Sequence, residues 1–154
     1  MSHTISYKKS EVLQALRYHF IKQKEIKSLM IIVNIYAIIT AVLLFMKKIR
    51  PEPFLLGSIL WILLMGFFWF ILPNLFYKKT ILFKEDWEFD YNQQEARLLS
   101  KLGEASWSWD TVTYYFESPY FFHFYFSPKS FFLVSKLDLP MEDQHIIRGI
   151  LKDK

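Results

Sequence analysis

Two uninterrupted apolar runs organise the first half of the chain. Between Lys27 and Lys47 lie the nineteen uncharged residues SLMIIVNIYAIITAVLLFM, and between Glu52 and Lys78 lie the twenty-five residues PFLLGSILWILLMGFFWFILPNLFY. At a rise of roughly 1.5 Å per residue, nineteen helical residues cover about 28 Å, close to the roughly 30 Å hydrocarbon core of a bilayer. Both runs are expected to be transmembrane helices, over residues 28–46 and 54–75, in a hairpin covering 28–77. The connection KKIRPEP (47–53) is too short for anything but a tight reversal. Asn34 in the first run, and Gly57 and Gly66 in the second, are polar or small positions suited to a close helix–helix contact. Ahead of the first run, SEVLQALRYHFIKQKEIK places Val12, Leu13, Leu16 and Phe20 at near-helical spacing. Residues 1–27 are therefore expected to hold an N-terminal strand and a basic amphipathic helix, lying in the headgroup plane or extending the first span.

From Thr80 onward the period falls to two. WEFDY alternates Trp87, Phe89 and Tyr91 with Glu88 and Asp90, and NQQE makes a turn into ARLLSKL. Ala105, Trp107 and Trp109 then alternate with Ser106 and Ser108. Short strands at hairpin spacing predict an antiparallel sheet. PMEDQHIIRGILK predicts a closing helix over 140–151, with Pro140 in its first turn and Glu142 and Asp143 at its positive end. Its apolar face is expected to be Ile146, Ile147, Ile150 and Leu151. The expected fold is a membrane α+β protein: a two-helix hairpin, then a small antiparallel β-rich domain over 80–154 closed by this helix. Trp109 is expected to be buried where the strand it begins meets the closing helix.

The stretch YFFHFYFSPKSFFLVSK (120–136) has eight aromatic residues in seventeen. Pro119 and Pro128 bracket too few residues for a third span. As a strand it puts Tyr120, Phe122, Phe124 and Phe126 on one face and Phe121, His123 and Tyr125 on the other. The first face suits a core. The second carries a titratable ring and a hydroxyl, with Lys129 and Lys136 nearby. It is expected either to lie under the terminal helix or to form a partly wet partner-binding face of Phe121, His123, Tyr125, Lys129 and Lys136.

Composition agrees with a membrane protein, since 53% hydrophobic and 22% charged residues is too apolar for an ordinary soluble domain. Arg17, Lys22, Lys24 and Lys27 precede the first run, and Lys78, Lys79, Lys84 and Arg97 follow the second, against Lys47, Lys48 and Arg50 between them. The positive-inside rule then places both termini in the cytoplasm of a multi-pass protein. Basic residues beside apolar segments suit anionic headgroups, so the lipid bilayer is an expected partner and nucleic acid is not. The absence of cysteine excludes disulfides, Cys-ligated zinc and a thiol nucleophile. His3, His19, His123 and His145 are scattered without metal-binding spacing, and the isolated glycines make no phosphate loop. No catalytic residue, metal or cofactor is expected, and the chain is read as a non-enzyme.

The hairpin, the strand-rich region with SWDTV (Trp109 followed by Val112), the paired block YFFHFYFSPKSFFLVSK and the closing helix resemble, in order and pattern over most of the chain, the YcxB-like family of small bacterial membrane proteins. LVSKLDLP keeps Lys136 but has Ser135 where that family usually has proline. The resemblance implies a reduced pleckstrin-homology-like domain and a place in the bacterial inner membrane, without implying an activity. Two functions follow. One is a tethered interaction module that binds a protein or lipid partner at the cytoplasmic face. The other is an oligomeric, self-associating membrane subunit serving immunity, transport or regulation, in which Asn34, Gly57 and Gly66 would carry the assembly.

Overall fold

The computed structural model describes residues 2–152, so the expected domain end at Lys154 lies outside the described residues. Two compact units divide the chain: residues 2–15 with 79–152, and Leu16–Lys78.

The second unit contains the apolar helices. Helix α1 (Lys9–Lys22), which begins in the first unit, gives way at Gln23 to α2 (Lys24–Phe45). Lys47 takes the left-handed conformation (φ 57°) just past the end of α2, and the Lys48 N–H donates to the Leu43 carbonyl, a helix-ending arrangement that reverses the chain. Helix α3 (Pro51–Gly66) opens on a proline, whose fixed φ suits a first helical position. A π-helical stretch (Phe67–Ile71) leads into α4 (Leu72–Lys79). Both apolar helices thus start earlier than the runs suggest, at Lys24 and Pro51 rather than 28 and 54, because flanking polar residues continue the helical hydrogen bonding.

The two helices are long and apolar enough to cross a membrane, and only 11% and 6% of their most apolar stretches are buried. Asn34 and Gly57 lie where α2 meets α3. The Trp61 Nε1–H donates to Asn34 Oδ1 at 3.2 Å, and Asn34 Nδ2 donates to its own helix at Met30 O. A side chain at Gly57 would bring its Cβ to 2.4 Å from the Tyr36 ring, while one at Gly66 would meet nothing within 4 Å. Within the hairpin, the space beside Gly66 is thus open, unlike that beside Gly57. Gly57→Leu is expected to cost the hairpin about 1–3 kcal/mol by overpacking, and Gly66→Leu far less. Thermal unfolding of the two variants in detergent checks this.

Pro73 explains the π stretch. Proline has no N–H to give to the carbonyl four residues earlier, that of Trp69. Arg17 supplies the missing donor, its Nε lying 2.9 Å from Trp69 O. The guanidinium also sits over the rings of Trp69 (5.1 Å) and Phe70 (5.9 Å). Arg17, read from the sequence only as one of the basic residues preceding the first run, thus caps a broken helix.

The first unit is built of two sheets rather than one. Strands β1 (Ser2–Ile5), β2 (Trp87–Tyr91), β3 (Glu95–Ser100) and β4 (Gly103–Ser108) form an antiparallel sheet in that order. Strands β5 (Tyr114–Glu117), β6 (Phe121–Ser127) and β7 (Ser130–Ser135) form another. Ile5 pairs with Trp87, so the β-rich unit is not residues 80–154 alone: its edge strand comes from the chain's beginning, and the apolar helices are inserted between β1 and β2. Helix α5 (Met141–Ile150) buries Ile147, with Leu151 just beyond it, in one core with Ile5, Phe89, Leu98, Trp109, Phe122, Phe124 and Val134. Ile146, expected on the same apolar face, is 46% exposed. Trp109 lies in a short 3-10 turn (Trp109–Thr111) rather than at a strand's start, and is buried.

Candidate functional site

The alternation of FFHFYF on β6 divides its side chains as the sequence implies. Phe122 and Phe124 face the core shared with the first sheet. The other face is not a wet surface: Phe121 and His123 are 0% exposed and Tyr125 is 1%. Neighbouring strands account for much of this. Phe116 is paired with His123 across β5 and β6, and their rings stack at 4.0 Å. Tyr114 is paired with Tyr125, and those rings stack at 4.4 Å. Tyr7, in the segment leading from β1 to α1, stacks on Phe121 at 6.0 Å and donates its hydroxyl to the Leu133 carbonyl. Burial drives the Tyr7 and Tyr125 hydroxyl pKa values well above the ordinary tyrosine value, so both stay protonated. The expected partner face is therefore buried, with Tyr7 lying over Phe121 and the rings of β5 stacked against His123 and Tyr125.

Lys129, in the β6–β7 turn, is exposed and stands apart from this layer. Lys136 is drawn into a polar cluster beside the core. Its Nζ lies 3.1 Å from Glu117 Oε2, and Arg148 donates to both carboxylate oxygens, Nε to Oε1 at 2.7 Å and Nη2 to Oε2 at 2.8 Å. Both cations also sit over the Phe122 ring, at 5.8 and 5.6 Å. The forked Arg148 bond, with Lys136 beside it, holds the Glu117 carboxyl below its usual pKa against the opposing effect of burial. A depressed native pKa gives stability that is present above the ordinary value of 4.5 and lost as pH falls through the native one. Glu117→Gln is accordingly expected to cost about 1–2 kcal/mol at pH 7, a difference that closes as the pH falls through the depressed native value. Urea-dependent proteolysis across that acidic range and at pH 7 checks this.

A second cluster joins β1, β2 and α5. His3 Nε2 lies 2.6 Å from Asp143 Oδ2, and the Tyr91 hydroxyl donates to Asp143 Oδ1 at 2.5 Å. Its partners are 52 and more residues apart in sequence, so no local spacing announces it. Both clusters tie α5 to the sheets, one to each sheet. Of the remaining histidines, His19 is buried, hydrogen-bonds Gln23 at 2.9 Å, and has its pKa pushed down to about 4 by burial, so it is neutral at pH 7.

Beside α5 the first unit has a groove of about 800 Å³, lined by Gln93, Gln94, Ser108, Asp110, Ile146 and Ile150 among others. It mixes amides, a carboxylate and aliphatic carbons. Among the described residues no group of three or more His, Asp or Glu side chains is placed to hold a metal ion. Compared with protein-family models, curated proteins and solved structures, the chain matches none of them.

Proposed function

We propose that the chain is a non-enzymatic interaction module anchored in the bacterial plasma membrane by its helical hairpin, with a pleckstrin-homology-like unit of the YcxB-like kind at the cytoplasmic face that meets a protein or lipid partner beside the bilayer. The observation that carries this reading is the outward display of apolar side chains by both long helices, with Ile32, Ile38, Leu56, Ile62 and Leu63 each more than 60% exposed. Water would penalise such a surface heavily, whereas lipid would not. Connectivity supports the number of crossings. Strands β1 and β2 pair in one sheet although the hairpin separates them in sequence, so an insertion that crosses the bilayer must cross an even number of times. The basic flanks favour the cytoplasm as the side to which both ends return. Two antiparallel sheets closed by a C-terminal helix are the arrangement a pleckstrin-homology-like unit calls for. Anchoring raises the local concentration of any membrane-associated partner, which suits weak and selective binding.

Alkaline extraction of membranes, combined with topology reporters fused after Lys48 and at the C-terminus, tests this. The expected result is a chain that stays with the lipid, an outside signal at Lys48 and an inside signal at the C-terminus. Release into the supernatant would end the anchoring reading, and opposite reporter signals would end the cytoplasmic assignment.

A further inference from the structure

Strand β4 (Gly103–Ser108) ends the first sheet, with β3 on one side and, among the described residues, no strand on the other. Ser100 pairs with Gly103 across a two-residue turn, so this closing pair is hydrogen-bonded. Antiparallel alternation then turns the backbone groups of Gly103, Ala105 and Trp107 toward β3. The Trp109 N–H, which donates to the Gln94 carbonyl at 3.0 Å, continues the same phase. The N–H and C=O groups of Glu104 and Ser106 consequently point away from the sheet, and among the described residues they make no hydrogen bond. The Ser108 carbonyl, next in phase, already accepts from the Thr111 hydroxyl at 2.6 Å. Proline, lysine and bulges ordinarily close an edge to further pairing, and β4 has none of them.

The two faces of β4 differ. On the exposed face Glu104 stands in a cross-strand row with Leu99 and Glu88, and among the described residues neither carboxylate is in an ion pair. Leu99, between them, is 49% exposed. Ala105 and Trp107 take the other face, where the half-buried Phe126 and Phe132 lie against the Trp107 ring at 5.8 and 4.9 Å.

We propose that the outer edge of β4 is a docking site for an extended, basic segment of a partner protein, which adds to the sheet as a further strand. At an interstrand spacing of about 4.8 Å, the segment exchanges N–H and C=O bonds with Glu104 and Ser106. Its residue opposite Glu104 lies on the exposed face, where a lysine or arginine meets the carboxylate. Its residue opposite Ala105 lies on the other face, where an aliphatic side chain packs beside Trp107. The acidic row repels anionic headgroups, which decides for a protein over a lipid. A second copy pairing its own β4 around Ser106 would set Ser108 against Glu104 and bring no cation. The inference rests on the interaction-module reading above and deepens it by naming the partner's chemistry and the place where it docks.

The full chain in phosphatidylcholine nanodiscs is titrated with a labelled octapeptide of alternating lysine and valine, binding being read by anisotropy and location by amide hydrogen exchange. Binding is expected, with exchange of the β4 amides slowed. Ser106→Pro removes an outward N–H and spares the bonds to β3, so it should weaken binding roughly tenfold, as should methylating the backbone nitrogens of the peptide's lysines. Glu104→Lys should weaken the lysine peptide and strengthen a glutamate–valine counterpart. If Ser106→Pro does not fold, the methylated peptide and Glu104→Lys carry the comparison. Absence of binding, unchanged affinity for the methylated peptide, or a wild-type preference for the glutamate peptide would overturn the site. Slowed β4 exchange without peptide, on adding phosphatidylglycerol or on raising the chain concentration, would overturn it in favour of a lipid or a second copy. All of these outcomes leave the anchor standing, whereas failure of the chain to enter the nanodisc would remove the tethered reading itself.

Discussion

Trp109→Ala is expected to destabilise the β-rich unit by about 3–5 kcal/mol, the range for truncating a large buried aromatic. The indole is 3% exposed and meets the Phe124 ring edge-on at 5.5 Å. Its Nε1–H donates to the Asn92 carbonyl at 2.8 Å, so truncation opens a cavity and also strips a partly buried acceptor of its donor. Trp107 offers a control of similar size and burial. It stacks on Phe132 at 4.9 Å, but its Nε1 has no hydrogen-bond partner among the described residues. Trp109→Phe should therefore be the more costly of the two phenylalanine variants, and Trp107→Phe close to neutral. Urea midpoints from pulse proteolysis of the detergent-solubilised chain give the comparison. A loss below about 1 kcal/mol for Trp109→Ala would show that the ring is not a core element.

A fragment beginning at Lys79 is expected not to fold, although it contains every strand but one. It lacks β1 and with it Ile5 (0% exposed), the His3–Asp143 contact, the Tyr7 ring over Phe121, and Val12 and Ala15 (0% and 1%). It also loses the bond from the Ser6 N–H to the Asp138 carboxylate. Each large apolar truncation alone costs about 2–5 kcal/mol, and a whole domain has only about 5–15 kcal/mol to lose. The β2 edge would be left open as well. Joining residues 2–15 to the fragment through a flexible glycine–serine linker should restore cooperative unfolding. A fragment 79–154 that unfolds cooperatively by itself would show that β1 is dispensable.

The parts of this fold that rest on neighbouring residues were legible in the sequence. The apolar runs give the long helices, the alternation in WEFDY gives β2, and Pro-Met-Glu-Asp gives the start of α5. The parts that rest on distant pairings were not. A strand is expected near the N-terminus, but nothing in SHTI names its partner, which lies beyond the whole hairpin. The two-sided apolarity of β6 left its second face either under the terminal helix or open to a partner, and the structure buries it. Only the return of Tyr7 identified the cover, and a lone tyrosine in a polar segment carries no such signal. His123 and Tyr125 suggested a wet surface because polar atoms are usually solvated, yet stacked rings from β5 enclose them. Arg17 looked like an ordinary surface charge, since the carbonyl it caps is freed by a proline fifty-six positions later.

The insertion of the hairpin between β1 and β2 also sets a clock on synthesis. At roughly 5–20 residues per second, the roughly eighty residues between Ile5 and Trp87 leave the ribosome over about 4–16 s. Through that interval β1 is an orphan edge, and it acquires its partner only after both apolar helices have emerged. Completion of the sheet is thus conditional on a successful hairpin. On the membrane anchoring proposed above, a chain in which only one of the two helices crossed would leave its first and second strands on opposite sides of the bilayer, and quality-control proteases would meet it as an unpaired strand rather than as a finished domain.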